Sequence, residues 1–294
     1  MPIPDQIVLH LGPHKTATTH LQKGLQSASD RLLKHGVQFL GPQNLRRKGR
    51  TIVSLFGLDV PFGPDWTRPR HKQFHRDAKR LILSDENFLG ALHDGDGRVH
   101  MPIYDEAPAR VAELVRRVGP NRVSVYLCVR HPAAFLTSAY SQMVGSGHQV
   151  TVDDFTDANP IGEIDWFPLI RGLSEIDGLS GVTLWRFEDY AALQSTIVSQ
   201  MVGPHADLVK LPKGASNTGL SQRAIDVILQ APAGDDLKEL AYWARRRFPS
   251  GTGFPKPELF TEAELALGQK NYTDQVARIA DLPRVTLLRP GKTA

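Results

Sequence analysis

The segment Leu11-Gly-Pro-His-Lys-Thr-Ala-Thr-Thr-His20 gathers residue types that bind oxyanions. A short apolar run, Gln6-Ile-Val-Leu-His-Leu11, precedes it and a helical pattern follows. The segment therefore sits where free backbone N–H groups and the positive end of a helix dipole converge. Lys15 adds a point charge, and Thr16, Thr18 and Thr19 add hydroxyls beside the amides. Such a loop cradles phosphate or sulfate. A Walker loop needs Gly-x-x-x-x-Gly-Lys-Ser/Thr, whereas here His14 precedes Lys15 and Gly12 lies only three positions upstream. The apolar strand from Val123 runs into Arg130 and not into an aspartate for magnesium. ATP with magnesium fits these residues poorly, and a P-loop kinase or nucleotide hydrolase with a degenerate loop is kept as the alternative.

Further along the chain, Val129-Arg-His-Pro-Ala-Ala-Phe-Leu-Thr-Ser138 sets Arg130 at a strand end and Ser138 eight residues later. Another apolar run ends in Ser84-Asp-Glu-Asn-Phe88, with two adjacent carboxylates. Other signals carry less. His71 and His75 are four apart, but Lys72 stands where a zinc-protease motif has Glu, so no metal is expected. The basic run Arg68 to Arg80 reads as a solvated face, or as a border that attracts an acidic acceptor. Arg245-Arg-Arg247 ends a predicted helix, where cations favour the dipole. His10 reads as a core residue, while His14 flanks the cradle and is a candidate to touch donor or acceptor. Trp66, Trp166, Phe167 and Trp243 read as packing residues.

Gly12-Pro-His-Lys-Thr-Ala-Thr-Thr19 resembles the 5′-phosphosulfate-binding loop of the superfamily of sulfotransferases that use 3′-phosphoadenosine 5′-phosphosulfate (PAPS). In bacterial members that loop commonly reads Gly-x-His-Lys-Thr-Gly/Ala-Thr-Thr. The second signature of the superfamily, an Arg at a strand end with a Ser eight residues on, is matched by Arg130 and Ser138. The resemblance implies PAPS as donor, held by Gly12, Pro13, His14, Lys15, Thr16, Ala17, Thr18 and Thr19 at its 5′ end, and by Arg130 and Ser138 at its 3′-phosphate. It implies that Lys15 stabilises charge building on the oxygen that bridges phosphate to sulfur. Related bacterial enzymes often carry Ser-x-Glu at the strand end where Glu86 lies, which makes Glu86 the expected base, with Asp85 or His14 as alternatives. Cytosolic members close an Arg-Lys-Gly loop over the nucleotide; this chain offers Pro212-Lys-Gly214, so Lys213 is carried over with its arginine missing. The motifs reach only to about Ser141, and the acceptor, whether carbohydrate, lipid or another small molecule, is left open.

The cradle and the two strand ends need a frame that brings them together. Strand patterns at Gln6–Leu11, Val37–Leu40, Arg80–Ser84, Arg122–Val129 and Val182–Trp185 alternate with helical ones. The expectation is an α/β fold, P-loop-like and three-layered, with about five parallel strands flanked by helices and a mostly helical C-terminal third. Thr18 or Thr19 is expected to cap the first helix and Gly36 to close it. The stretch from Gly41 to Lys79, rich in Gly, Pro, Arg and His, is too long for an ordinary connector and is expected to hold short helices or a substrate-facing loop. With 294 residues, 41% of them hydrophobic, and no linker or repeat, residues 1–294 read as a single domain. Cys128 is the one cysteine and lies in an apolar run; neither a leader nor a membrane span stands out, so a cytoplasmic setting is expected. The net charge of +4 is mild, and the reading assigns no nucleic-acid partner.

Overall fold

The computed structural model describes residues 3–59, 76–94, 97–214, 219–232, 234–251 and 253–291. Trp66, the His71 and His75 pair and most of the basic run from Arg68 lie outside them. Six strands form one all-parallel sheet: β1 (Gln6–His10), β2 (Val37–Leu40), β3 (Arg80–Ser84), β4 (Val123–Val129), β5 (Gly181–Arg186) and β6 (Val285–Leu287), in the order β2-β3-β1-β4-β5-β6. Neighbouring registers are regular, with His10 opposite both Ser84 of β3 and Tyr126 of β4.

Side chains alternate across the sheet as the pleat requires. Ile7, Leu9, Leu81, Leu83, Val123, Val125 and Leu127 enter one buried cluster; Val8, Ile82, Tyr126 and Cys128 enter the other. The second face is covered by α1 (Thr18–Lys34) and α8 (Tyr190–Val202), through Leu21, Leu25, Ile197 and Met201. On the first lie α4 (Ala107–Val118), α5 (Pro132–Gly145), α7 (Phe167–Ser174) and α11 (Glu262–Ala280). Strands buried on both faces read as nearly unbroken apolar runs, which is why five of them were visible in the sequence. β6 was not: three residues, Val-Thr-Leu, give no alternation to read, and it exists by pairing with β5.

The remaining helices are α2 (Pro42–Leu45), α3 (Ile52–Phe56), α6 (Val152–Ala158), α9 (Gln222–Leu229) and α10 (Leu237–Arg247). Thr51, Thr151, Ser221, Asp236 and Thr261 cap the helices that follow them, Thr261 in a full capping box with Glu264. α1 breaks the pattern. Its cap position is Ala17 in the left-handed region (φ 62°) with no side-chain cap, so neither Thr18 nor Thr19 caps it. No helix among the described residues is long and apolar enough to cross a membrane. β1 lies between β3 and β4, and the chain leaves it toward β2 on one side and later crosses to β4 on the other. Open parallel sheets bind ligands beyond the strand C-termini at such a reversal.

Candidate active site

Beyond His10 the chain stays tied to β4, with Leu11 N donating to Tyr126 O at 2.9 Å, and then turns at Gly12. A Cβ on Gly12 would run into Thr18 Oγ1 and stand 3.1 Å from His10 Nε2, so only glycine lets the loop fold back on the start of α1. Two hydroxyls brace that fold. Thr16 Oγ1 donates to Pro13 O at 2.6 Å, and Thr18 Oγ1 to Gly12 O at 3.1 Å. In this arrangement the Thr16 and Thr18 hydroxyls hold the loop's shape. Lys15 (φ 68°) and Ala17 (φ 62°) both adopt the left-handed backbone that non-glycine residues seldom take. No acceptor among the described residues meets the N–H of Lys15, Thr16 or Ala17. The result is a run of open amides at the positive end of a 17-residue helix.

Arg130 arrives at this loop from the end of β4. Its Nη1 donates to Lys15 O at 2.5 Å, and its guanidinium lies 4.2 Å over the Phe187 ring. Its Nε is buried without a partner. The turn is held from behind: Trp166 Nε1 donates to Arg130 O at 2.9 Å, and Glu188 accepts from His131 N and from Tyr272 OH, each at 3.0 Å. Burial depresses the Arg130 pKa, while Glu188 pulls the other way. Lys15 is lowered to about 8, first by burial and then by the charges of Arg130 and Arg245. Among the described residues no carboxylate is within ion-pair distance of Lys15 or Arg130.

On the opposite flank of β1, β3 delivers the two carboxylates. Asp85 Oδ1 accepts from Asn87 N at 3.3 Å and from Arg46 Nε at 3.2 Å. Glu86 Oε1 pairs with Arg46 Nη2 at 2.5 Å, and Glu86 Oε2 accepts from Gln22 Nε2 at 3.3 Å. Burial pushes both carboxyls up. For Asp85 burial prevails and the pKa is raised; for Glu86 the Arg46 guanidinium, a backbone N–H and the Gln22 amide together outweigh burial and the pKa is lowered. The cation that holds Glu86 toward its ionised form is Arg46.

His14 bridges the two halves. Its backbone N–H donates to Tyr104 OH at 3.2 Å and its Nδ1 lies 2.9 Å from the same oxygen. Burial lowers its pKa against the pull of Glu86 and of Asn87. His10 is 1% exposed and bonded through Nδ1 to Ser84 Oγ at 2.8 Å, a core residue as its sequence position suggested. Lys15, Arg130, His14 and Glu86 thus gather around one strand end. Ser138 is half-buried two turns into α5, with no hydrogen-bond partner among the described residues. Lys213 is exposed and forms no hydrogen bond or ion pair with the cradle among the described residues; the carbonyl of its neighbour Pro212 meets His20 Nε2 of α1 at 2.8 Å. Sequence reasoning missed Arg46, Gln22, Tyr104 and Glu188, because each acts through a partner 57 or more residues away or from outside any motif. Comparison of the chain with protein-family models, with curated proteins and with solved structures finds no match.

Proposed function

We propose that this chain is a PAPS-dependent sulfotransferase, on a P-loop-like three-layer fold, acting on a hydroxyl or amine of a small-molecule, carbohydrate or lipid acceptor in the cytoplasm. The observation that carries the reading is the meeting of two half-buried cations, Lys15 and Arg130, neither in an ion pair with a carboxylate among the described residues, against unpartnered amides at the start of α1. Uncompensated buried charge is costly, and an anion bound between them removes that cost. The motif resemblance says which anion: a 5′-phosphosulfate on the amides and Lys15, a 3′-phosphate on Arg130 and Ser138.

In the proposed reaction the acceptor oxygen or nitrogen attacks sulfur as the bond from sulfur to the bridging oxygen breaks. The leaving electron pair stays with the 5′-phosphate of 3′,5′-adenosine bisphosphate, where the Lys15 ammonium meets it. The acceptor's proton goes to the Glu86 carboxylate, which Arg46 keeps ionised and Gln22 orients. Thermal-shift measurements with 3′,5′-adenosine bisphosphate, PAPS and Mg-ATP test the reading. A ligand at a hundredfold its dissociation constant adds about 2.7 kcal/mol. Stabilisation by the first two without magnesium is expected; stabilisation by Mg-ATP alone would replace this reading with a kinase or hydrolase.

A further inference from the structure

We propose that Tyr104 is a positioning residue that holds His14 in the tautomer protonated on Nε2, so that His14 presents a hydrogen-bond donor toward Asn87 beside Glu86 and takes no proton from the acceptor. The role in transfer rests on the sulfotransferase reading; the tautomer does not.

Tyr104 is 3% exposed, and its hydroxyl oxygen already accepts from the His14 backbone N–H. The single proton of that hydroxyl must find an acceptor of its own, and among the described residues the one within reach is His14 Nδ1, at 2.9 Å. Nδ1 therefore carries a lone pair, and in a neutral ring the proton is on Nε2. With the proton on Nδ1 instead, two donors would face one oxygen and the tyrosine O–H would be buried without an acceptor. The two rings lie nearly parallel, 6.0 Å between centroids, which fixes the imidazole plane.

Tyr104 is itself held in an unusual way. Its φ of 55° is in the left-handed region, rare for a bulky side chain, and Ala107 N bonds its carbonyl at 3.0 Å at the start of α4. The charged and titratable groups facing His14 are Glu86, Lys15 and Arg46, with Tyr104 itself, and the Asn87 side chain hydrogen-bonds the ring; burial outweighs the pull of Glu86 and Asn87 and favours the neutral ring. Burial likewise keeps the Tyr104 hydroxyl protonated. In the transfer, the acceptor's proton passes to Glu86, and His14 ends turnover with the proton it began with.

The experiment is nitrogen NMR of the full chain labelled with 15N-histidine, with His14 assigned by its loss in a His14→Gln spectrum. At neutral pH the ring is expected to show Nδ1 as the pyridine-type and Nε2 as the pyrrole-type nitrogen. Tyr104→Phe is expected to abolish that preference. A pyrrole-type Nδ1 or an imidazolium in the wild-type protein overturns the proposal, as does a Tyr104→Phe spectrum identical to wild type. In the transfer assay His14→Gln, which keeps an amide donor near the Nε2 position, is expected to lose less rate than His14→Ala. Equal losses of about 10²- to 10⁴-fold in both would make His14 the base instead. The nitrogen shifts need neither donor nor acceptor. A wrong tautomer therefore sinks this proposal and spares the sulfotransferase reading, and the right tautomer without transfer does the reverse.

Discussion

Lys15 carries a charge that the unliganded fold does not welcome. Its pKa falls from an ordinary 10.5 to about 8, by burial first and then by Arg130 and Arg245. Between those values the unfolded chain holds a proton that the folded chain has lost, so the stability of the unliganded protein rises with pH across that window. At neutral pH the ammonium is therefore a cost. Lys15→Met is expected to raise the melting temperature at pH 7, by an amount that shrinks as the pH climbs above 8, while abolishing transfer. A lower melting temperature at pH 7, or turnover within a few-fold of wild type, would remove Lys15 from the role assigned to it. Glu86 stands in the opposite relation to its surroundings. Arg46 and Gln22 satisfy its carboxylate, and Glu86→Gln keeps the shape while removing the basicity. Its kcat should fall by about 10²- to 10⁴-fold with donor affinity nearly unchanged, and a Gln variant of near-normal rate would shift the base to Asp85 or His14.

At the scale of elements, the joint between β1 and α1 shapes the candidate anion site, and its geometry depends on Gly12. A methyl group there collides with Thr18 and crowds His10, so Gly12→Ala must push the loop away from α1. Overpacking of this kind costs about 1–3 kcal/mol. It should also close the open amides, with bisphosphate binding lost more completely than stability; a Gly12→Ala protein that still binds would show that the close approach is dispensable. The position of this joint was legible in the sequence because an apolar run ending in Gly-Pro and a helical period beyond it are both local patterns. Its internal geometry was not. Threonines before a helix suggest caps, yet Thr16 and Thr18 turn back to Pro13 and Gly12 while Ala17 takes the cap position in a left-handed conformation. Tertiary pairing decided the other differences. β6 forms because β5 offers a free edge, and α6 and α7, at seven and eight residues, are too short for their periodicity to stand out from the loops around them. Arg46 stayed hidden for a related reason, since nothing in Leu45-Arg-Arg-Lys48 says which cation will meet the carboxylates of β3.

Across the whole molecule, the first half supplies the residues of the candidate site and the last third braces them. β1, β3 and β4 deliver Lys15, Glu86 and Arg130 to one edge, while α11 reaches back with Tyr272 to Glu188 and with Gln275 to Trp166 N at 3.2 Å. Trp166 in turn holds the Arg130 carbonyl. Arg130 is thus a half-buried cation fixed at its backbone, tied by one nitrogen to the Lys15 loop, and left with a buried, unpartnered Nε. That arrangement separates two roles for its side chain. If Arg130 binds the 3′-phosphate, Arg130→Ala should weaken 3′,5′-adenosine bisphosphate far more than 5′-adenylate, because only the former carries that group. Truncating one partner of a buried charge pair costs about 2–5 kcal/mol, a loss of roughly thirtyfold or more. Arg130→Lys should restore little of it, since an ammonium cannot present the planar fork of a guanidinium. If the side chain serves instead to anchor the loop through Lys15 O, both nucleotides should weaken together. Titration calorimetry with the two ligands decides between these outcomes, and equal losses would mean that Arg130 shapes the cradle without reading the 3′ end of the nucleotide.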